Sequence, residues 1–384
     1  MRHTTHLLGG LIFSCLLFSS CKKDLKPTGE NTLQKAQAQS TISVADGAGN
    51  EMTLNVPDPS SLRYKKEEVF SDLVSQIFFP VAPTTCNPNT AIRTWLTQER
   101  AGWTPAITSL ANQVSGFPFD YAYVFENNPA TQTFGSHGEY NQIMAKTFKD
   151  LNRFWNMESV GIVLAGGHGN MLVDPVKISK LLVAYGNSQA TSDFFGNYFA
   201  NAVSSTPLLR NGDHPFFTFN AFASTPEDLT ALGLGVLPYK IVMGDGIMQG
   251  YAAIGFDDVA PQAVLAHEYG HQVQYNNNVL FAGGSEGTRR TELMADALSA
   301  YFLSHARGAS MQWKRVQQFL QVFFNIGDCA FTNSGHHGTP LQRMAAATWA
   351  YNVANDAQKQ GKILSAQTFI AMFDAQLPTL VAGP

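Results

Sequence analysis

The chain has few cysteines and few charged residues for its length. Only 4 of its 384 residues are cysteine and 14% are charged, whereas 45% are hydrophobic. So few cysteines exclude a scaffold held together by many disulfides and a zinc module built from four thiolates. The hydrophobic content is sufficient for a large core, so we expect a globular protein with one large domain or two modest ones.

The chain also lacks an excess of basic residues and, beyond its start, any long hydrophobic run. Its formal net charge of -4 offers nothing that would attract phosphate backbones, so we expect no nucleic-acid partner. After residue 18 no segment approaches the roughly 20 apolar residues that a membrane-spanning helix needs.

The first 20 residues have the pattern of a bacterial lipoprotein signal peptide. Arg2 opens a short polar segment, and the apolar run over residues 7–18 is too short to span a bilayer. The following Cys21 resembles the lipidated cysteine of a lipobox, although Phe18 replaces the usual leucine. We expect lipidation at Cys21 and a protein outside the cytoplasm, anchored by this lipid to a bacterial membrane, either the outer membrane or the cell surface. An ordinary cleaved signal peptide is the alternative.

The chain divides into four stretches. Residues 1–20 form the signal peptide, and residues 21–60 form a tether with a small β element, since residues 42–56 alternate weakly like a strand pair. Residues 61–210 are predicted to be an N-terminal α/β region that packs on the region formed by residues 211–384.

Local patterns predict several elements within these stretches. Apolar spacing of three and four predicts helices over residues 64–76 and 140–154. A short strand over 160–165 leads into a glycine-rich turn, where His168 is most simply structural. Two more strand-like runs cover 217–223 and 239–243.

Three further helices are predicted in the second half from their end signals. The first begins near Asp257 with Pro261 in its first turn, and the second begins near Thr288 and ends before Gly308. The third has Thr339 as its N-cap and Pro340 as its first residue.

The first of these helices carries the pattern HExxH. His267 and His271 are four residues apart, so they project from one helix face and can grip one metal ion. Glu268 is then suited to act as a general base toward a water molecule bound to that metal. The pattern alone is a moderate signal, because two ordinary surface histidines would produce it too.

Two carboxylates on the next helix strengthen this interpretation. Glu292 lies 21 residues after His271, and with both histidines it would complete a three-ligand zinc set that leaves one position for water. Asp296 lies one turn further and could accept the second ring N–H of a ligating histidine. A solvated acidic stripe is the alternative, but the apolar residues around both positions favour a packed helix.

These blocks resemble a known family. The segments 266–274 and 290–296, with 326–328 and 337–343, are similar to those of the bacterial neutral zinc metallopeptidases, a gluzincin-type family with a thermolysin-like site. Upstream, residues 220–222 and 242–246 resemble thermolysin's edge strand and its neighbour. The resemblance covers roughly residues 215–355 and leaves the first two hundred residues outside.

The resemblance implies roles for particular residues. His267, His271 and Glu292 would bind Zn2+, Glu268 would be the base and Asp296 would orient a histidine. His337, or the adjacent His336, would donate to the developing oxyanion. Arg343 is interpreted as a structural ion-pair partner rather than a second donor.

Two further positions bear on substrate and calcium binding. Asn220 and Ala221 would bind an extended peptide by backbone hydrogen bonds. Ala263 stands where thermolysin has an acidic calcium ligand, so no such calcium site is expected. Asp245 and Asp328 are candidate cation ligands, although an aspartate beside glycine more often forms a turn.

The sequence therefore predicts an α+β fold with a zincin-like catalytic core in residues 211–384. A mixed or antiparallel sheet would lie above the HExxH helix, with a mainly helical lower part. The expected activity is hydrolysis of peptide bonds in a peptide or polypeptide by a zinc-activated water. The alternatives are a non-catalytic surface lipoprotein that uses this scaffold for binding, and an amidase-like hydrolase that acts on peptidoglycan peptides.

Overall fold

The computed structural model describes residues 38–57, 89–281, 285–327 and 337–382. Within them the protein is α+β, mostly helical with small sheets, which confirms the expected fold class at this level. Several features of the sequence predictions lie outside the described residues: the predicted signal peptide, Cys21, the predicted helix over 64–76, Asp328 and His336.

The elements follow one another from an N-terminal hairpin to a helical C-terminal part. The strands are β1 (Ala38–Ala45), β2 (Glu51–Pro57), β3 (Val163–Gly167), β4 (Ala221–Ser224), β5 (Glu227–Asp228), β6 (Val236–Leu237) and β7 (Lys240–Gly244). The helices are α1 (Ala91–Glu99), α2 (Pro105–Val114), α3 (Phe117–Phe125), α4 (Asn141–Trp155), α5 (Pro175–Ala184), α6 (Gln189–Ser204), α7 (Asp245–Ala253), α8 (Ala260–Asn276), α9 (Ser285–Ser304), α10 (Trp313–Ile326), α11 (Pro340–Gln360) and α12 (Ala366–Val381).

A three-stranded sheet in the order β3-β7-β4 lies at the centre of the site region. β3 is parallel to β7, with Val163 opposite Lys240, and β4 is antiparallel to β7, with Ala221 opposite Met243. All three strands are buried along their whole length, as their short apolar runs suggest. The sheet is mixed, and its outer strand β3 comes from the N-terminal region, so that region completes the sheet.

The predicted strand pair is confirmed as the antiparallel hairpin β1–β2. Its turn is closed by Asp46, whose Oδ1 accepts hydrogen bonds from the backbone N–H groups of Ala48 and Asn50. The hairpin docks on the helical part through the fully buried Leu54 and through Asn187, whose side chain pairs with the Asn55 backbone.

The predicted strand over residues 217–223 is only half correct. Residues Pro215–Thr218 form a 3-10 turn, and the strand begins at Ala221. Pro215 fixes its own φ, and His214 Nδ1 accepts from the Phe216 N–H, so the chain turns before it can extend. Alternation of aromatic and small residues therefore predicted a strand that starts too early.

The helices that carry the metal motif have the predicted end signals. α8 begins at Ala260 with Pro261 in its first turn, and α11 begins at Pro340. Thr339 caps α11 through a reciprocal capping box: Thr339 Oγ1 accepts from Gln342 N–H and Gln342 Oε1 accepts from Thr339 N–H, both at 3.1 Å. α9 begins a few residues earlier than predicted.

In the described part of the chain the core consists of three hydrophobic clusters. The largest surrounds α8, α9, α10 and α11, and a second surrounds the hairpin, α5 and α6. The N-terminal aromatics Phe117, Phe195 and Phe199 are buried in the second cluster and form part of the core. Among the described helices, none combines the length and hydrophobicity needed to cross a bilayer.

Candidate metal centre

Helix α8 is buried continuously from Ala263 to Gln274, although this stretch carries five histidine, glutamate and glutamine side chains. The residues from His267 to Gln274 are all buried, and the two histidine rings lie one turn apart with centroids at 5.0 Å. A buried charged or polar group requires a partner or a metal ion. We therefore expect each buried polar group of α8 to have a hydrogen-bond partner or to bind a metal ion.

Three of the predicted ligands converge. His267 Nε2 lies 3.3 Å from Glu292 Oε2, and His271 Nε2 lies 3.6 Å from Glu292 Oε1. Their candidate ligand atoms all lie within 4.8 Å of one another, and all three residues are buried. The structure thus brings together the three residues that the sequence analysis selected as metal ligands.

The shorter of these separations, 3.3 Å between His267 Nε2 and Glu292 Oε2, matches two ligands of a tetrahedral zinc ion. Ligand atoms at about 2.0–2.1 Å from zinc, arranged tetrahedrally, are roughly 3.3–3.5 Å from one another. In addition, Glu292 Oε2 is buried and accepts no hydrogen bond among the described residues. A buried carboxylate oxygen left in that condition is costly unless a cation neutralises it. The donor set of two imidazoles and one carboxylate suits zinc.

A buried ion pair orients the first histidine. His267 Nδ1 lies 2.8 Å from Asp296 Oδ1, so the ring donates to the carboxylate and directs Nε2 toward Glu292. Arg343 is fully buried and donates to both oxygens of Asp296 at 2.7 Å. This contact is the structural ion pair interpreted from the sequence, and it fixes a carboxylate that in turn fixes the ligand.

The second histidine is oriented by a residue that the sequence analysis missed. His271 Nδ1 lies 3.0 Å from Gln274 Oε1, and Gln274 Nε2 donates to Thr291 O at 2.7 Å. One amide therefore joins the ligand on α8 to the backbone of α9 beside Glu292. The available signal was its position three residues after His271 on the same helix face.

Close packing of α8 on α9 sets the distance between the ligands. A Cβ added to Gly270 would lie 3.0 Å from Ala295 Cα and 3.1 Å from Ala295 O. Glycine between Tyr269 and His271 therefore lets the two backbones approach directly beneath the site. On the opposite face, Gln272 Nε2 donates to Ser224 O and Lys240 O, which ties α8 to the sheet.

The two predicted catalytic residues, Glu268 and His337, are both buried. Glu268 is fully buried on α8 beside the ligands, as a base in this position requires, and its role stays a prediction. His337 is also buried and precedes α11, next to Gly338, which closely approaches Leu293 on α9. Its role as an oxyanion donor stays a prediction as well.

The predicted peptide-binding residues lie at the edge strand of the described sheet. Asn220 precedes β4, and its backbone oxygen accepts from Gly244 N–H at 3.0 Å. The Ala221 N–H already donates to Asn220 Oδ1 at 2.9 Å. Substrate binding by these two residues stays a prediction, and in this arrangement Ala221 N–H is occupied.

Aromatic side chains border the metal centre. The ring centroid of Phe281 lies 6.5 Å from that of His271 and 4.9 Å from that of Tyr275, and Phe323 lies 6.4 Å from His267. These rings were not singled out from the sequence. They form an apolar border, which lowers the local dielectric and strengthens electrostatic interactions at the site.

Comparisons with known proteins identify no relative. A scan against protein-family models found no match, and neither did searches of curated proteins and of solved structures. The resemblance to the neutral zinc metallopeptidases therefore depends on the motif residues, and the function must be argued from the site itself.

Proposed function

We propose that this chain is a zinc-dependent metallopeptidase that hydrolyses peptide bonds in peptides or polypeptides. The observation that carries the proposal is the buried set of His267, His271 and Glu292, with ligand atoms 3.3 and 3.6 Å apart. The described residues supply three protein ligands, the number that is typical of catalytic zinc, whereas structural zinc is closed by four.

The roles of the chain's own residues follow from their positions. A zinc ion bound here would lower the pKa of a water molecule and polarise a substrate carbonyl. Glu268 would serve as the general base that takes up a proton and returns it to the leaving amine, a role that explains a carboxylate that ligation alone does not need. Asp296 and Gln274 hold the two imidazoles in the tautomer that presents Nε2.

The proposal includes a zincin-like fold for the region around the metal centre, and two features of this region support it. The mixed sheet is hydrogen-bonded to α8 through Gln272, and α9 and α11 form a helical part joined by the Asp296–Arg343 pair. A peptide would lie along β4, the edge strand of the three-stranded sheet.

The decisive experiment compares the full chain with Glu268→Gln. We expect both proteins to bind stoichiometric zinc, and we expect the variant to lose at least 100-fold in hydrolysis of a mixed peptide library, because general-base catalysis contributes about that much or more. Glu286→Gln, at an exposed glutamate on α9, is the matched control and should retain full activity.

Two results would contradict the proposal. One is a wild-type protein that binds zinc but cleaves the peptide library no better than Glu268→Gln does. This result would favour the binding-protein alternative. The other is Glu292→Gln with unchanged zinc affinity, which would show that the three-ligand set is not the metal site.

Lipid anchoring at Cys21 belongs to the proposal as well. Metabolic labelling with a radioactive fatty acid should mark the full-length chain in bacterial cells, and Cys21→Ser should abolish both the label and membrane fractionation. Labelling that survives in Cys21→Ser would contradict the predicted anchor.

A further inference from the structure

A second polar cluster lies at the carboxyl ends of the parallel strands β3 and β7. His168 follows β3 and Asp245 follows β7, and His168 Nδ1 lies 2.8 Å from Asp245 Oδ2. On the other side of the ring, His168 Nε2 lies 3.2 Å from Thr133 Oγ1. The three side chains form a row that runs from a buried carboxylate to an exposed hydroxyl.

The hydrogen bonds fix the direction of proton transfer along this row. An ionised carboxylate only accepts, so His168 Nδ1 carries the hydrogen and the neutral ring presents its lone pair at Nε2. The Thr133 hydroxyl then donates to Nε2. Burial opposes protonation of the ring, but the hydrogen bond and charge of Asp245 outweigh it and raise the pKa of His168, which makes it a stronger base.

The backbone around Thr133 is held against the strand end. A Cβ on Gly166 would lie 2.3 Å from Thr133 O, so only glycine allows this approach. Gln132 Oε1 accepts from Gly166 N–H at 3.1 Å, and Gln132 Nε2 donates to Glu126 Oε2 at 3.1 Å. These contacts therefore hold the backbone that carries Thr133 against the end of β3.

The Asp245 carboxylate uses one of its two oxygens, Oδ2, in a hydrogen bond among the described residues. Asp245 Oδ1 is buried and accepts no hydrogen bond among the described residues, whereas Oδ2 lies 2.8 Å from the ring of His168. A buried carboxylate in this condition stabilises an imidazolium, which is the species that forms when His168 takes a proton from a hydroxyl.

We propose that Thr133, His168 and Asp245 form a nucleophilic triad that accepts an acyl group from small activated carboxylic esters. Thr133 Oγ bonds to the ester carbonyl carbon while its proton passes to His168 Nε2. The carbon–oxygen bond to the leaving alcohol breaks, and that alcohol departs with the proton from His168. Water then attacks the acyl-threonine, gives its proton to His168, and releases the carboxylic acid as Thr133 regains a proton.

None of these three residues belongs to the metal centre, so this activity is separable from the proposed peptidase. The test treats the full chain in a Glu268→Gln background with p-nitrophenyl acetate and maps the acetylated residue by peptide mass spectrometry. We expect one acetyl group on Thr133, and we expect chelators to have no effect on its formation.

Variants distinguish a triad from a structural contact. Thr133→Ser should retain the adduct and Thr133→Val should lose it, whereas Thr131→Val, at a neighbouring exposed threonine, should behave as the wild type. His168→Gln should slow acylation at least 100-fold, since a general base contributes about that much. Circular dichroism and zinc content verify the fold of each variant.

Two outcomes overturn the proposal. One is acetylation confined to lysines or other residues, with none on Thr133. The other is acetylation of Thr133 at the same rate in His168→Gln and the wild type, which would make the contact purely structural. Because Thr133 is exposed, its serine and valine variants decide the matter even if a change at the buried Asp245 prevents folding.

Discussion

At the scale of single residues, the two ligating histidines are held by partners of different strength. His267 Nδ1 donates to a carboxylate that is itself fixed by a buried arginine, whereas the partner of His271 Nδ1 is the neutral amide of Gln274. A charged acceptor makes a stronger hydrogen bond than an amide. The orientation of His271 is therefore the more sensitive of the two to substitution of its partner.

Replacing Gln274 should weaken metal binding directly. Gln274→Leu keeps the size of the side chain but removes both its contact with His271 Nδ1 and its hydrogen bond to Thr291 O. We expect zinc affinity to fall by about 10- to 100-fold, the usual effect of losing such a partner, as measured by competition with a chelator.

Gln262→Leu is the control for that change, because this half-exposed glutamine on the same helix donates to the Asp258 carbonyl and contacts none of the metal ligands among the described residues. Its zinc affinity should equal that of the wild type. Equal affinity in Gln274→Leu would mean that His271 is oriented by other contacts.

A buried carboxyl in the second core cluster should give stability a distinct pH dependence. Burial raises the pKa of Asp120 from 3.8 to about 7, although a short hydrogen bond from Tyr185 opposes the shift. Between these values the native state holds a proton that the unfolded chain has released. The free energy of unfolding should therefore fall as pH rises from about 4 to 7, by at most about 1.4 kcal/mol per pH unit from this group.

Asp120→Asn removes this contribution, so the stability difference between variant and wild type should change across the same pH range. Urea unfolding at a series of pH values measures it. Asp150→Asn, at a surface carboxylate paired with Lys146, should leave the slope unchanged. A wild-type slope that persists in Asp120→Asn would show that Asp120 is ionised in the native state.

At the scale of elements, the site depends on how closely α8 approaches α9. Gly270→Ala would gain about 1 kcal/mol in helix propensity, but the new methyl group would press on the α9 backbone at Ala295. Since Glu292 lies on α9 and His271 on α8, we expect the ligands to separate and zinc affinity to fall, while Asn276→Ala at an exposed position of α8 leaves it unchanged. Isothermal titration measures both.

The result for Gly270→Ala decides whether packing sets the ligand spacing. If Gly270→Ala is more stable than the wild type and binds zinc as tightly, then α9 can move to accommodate the methyl group without disturbing the metal ligands. Gly270→Val, with a larger side chain at the same position, should show a larger loss than the alanine variant.

The sequence predicted those elements whose signals are local. The i and i+4 histidines, the start of α11 at Thr339 and Pro340, and the alternation of the β1–β2 hairpin are each written within a few neighbouring residues. The convergence of Glu292 with the histidines was inferred from the ligand chemistry of catalytic zinc and from the resemblance, because the distance between α8 and α9 is a tertiary property that no local pattern specifies.

Other features could not be predicted for physical reasons. The parallel pairing of β3 with β7 joins segments far apart in sequence, and no local pattern specifies such a partner. The helix α3 consists mostly of apolar and aromatic residues, so it has no amphipathic period to detect. The contact of Gln274 with His271 depends on a side-chain conformation that only the packed interior selects.

At the scale of the whole molecule, the metal centre and the N-terminal hairpin belong to different cores. The ligand helices α8 and α9 pack within the largest hydrophobic cluster, whereas Leu54 of β2 packs with α5 and α6 in the second. Energetic effects of substitutions in separate regions with no shared contacts usually add. Stability and metal affinity should therefore respond independently to changes in the second cluster.

Leu54→Ala tests this separation. Leu54 is fully buried, so its truncation should lower the free energy of unfolding by about 2–5 kcal/mol, while zinc affinity stays within twofold of the wild type. Leu208→Ala, at a leucine that is 43% exposed, should change neither quantity appreciably. Denaturant unfolding of the apoprotein and chelator competition on the folded protein give the two values. A loss of zinc affinity in Leu54→Ala would mean that the hairpin supports the metal centre through the sheet, since β3 joins the N-terminal region to β7 and β7 is tied to α8 by Gln272.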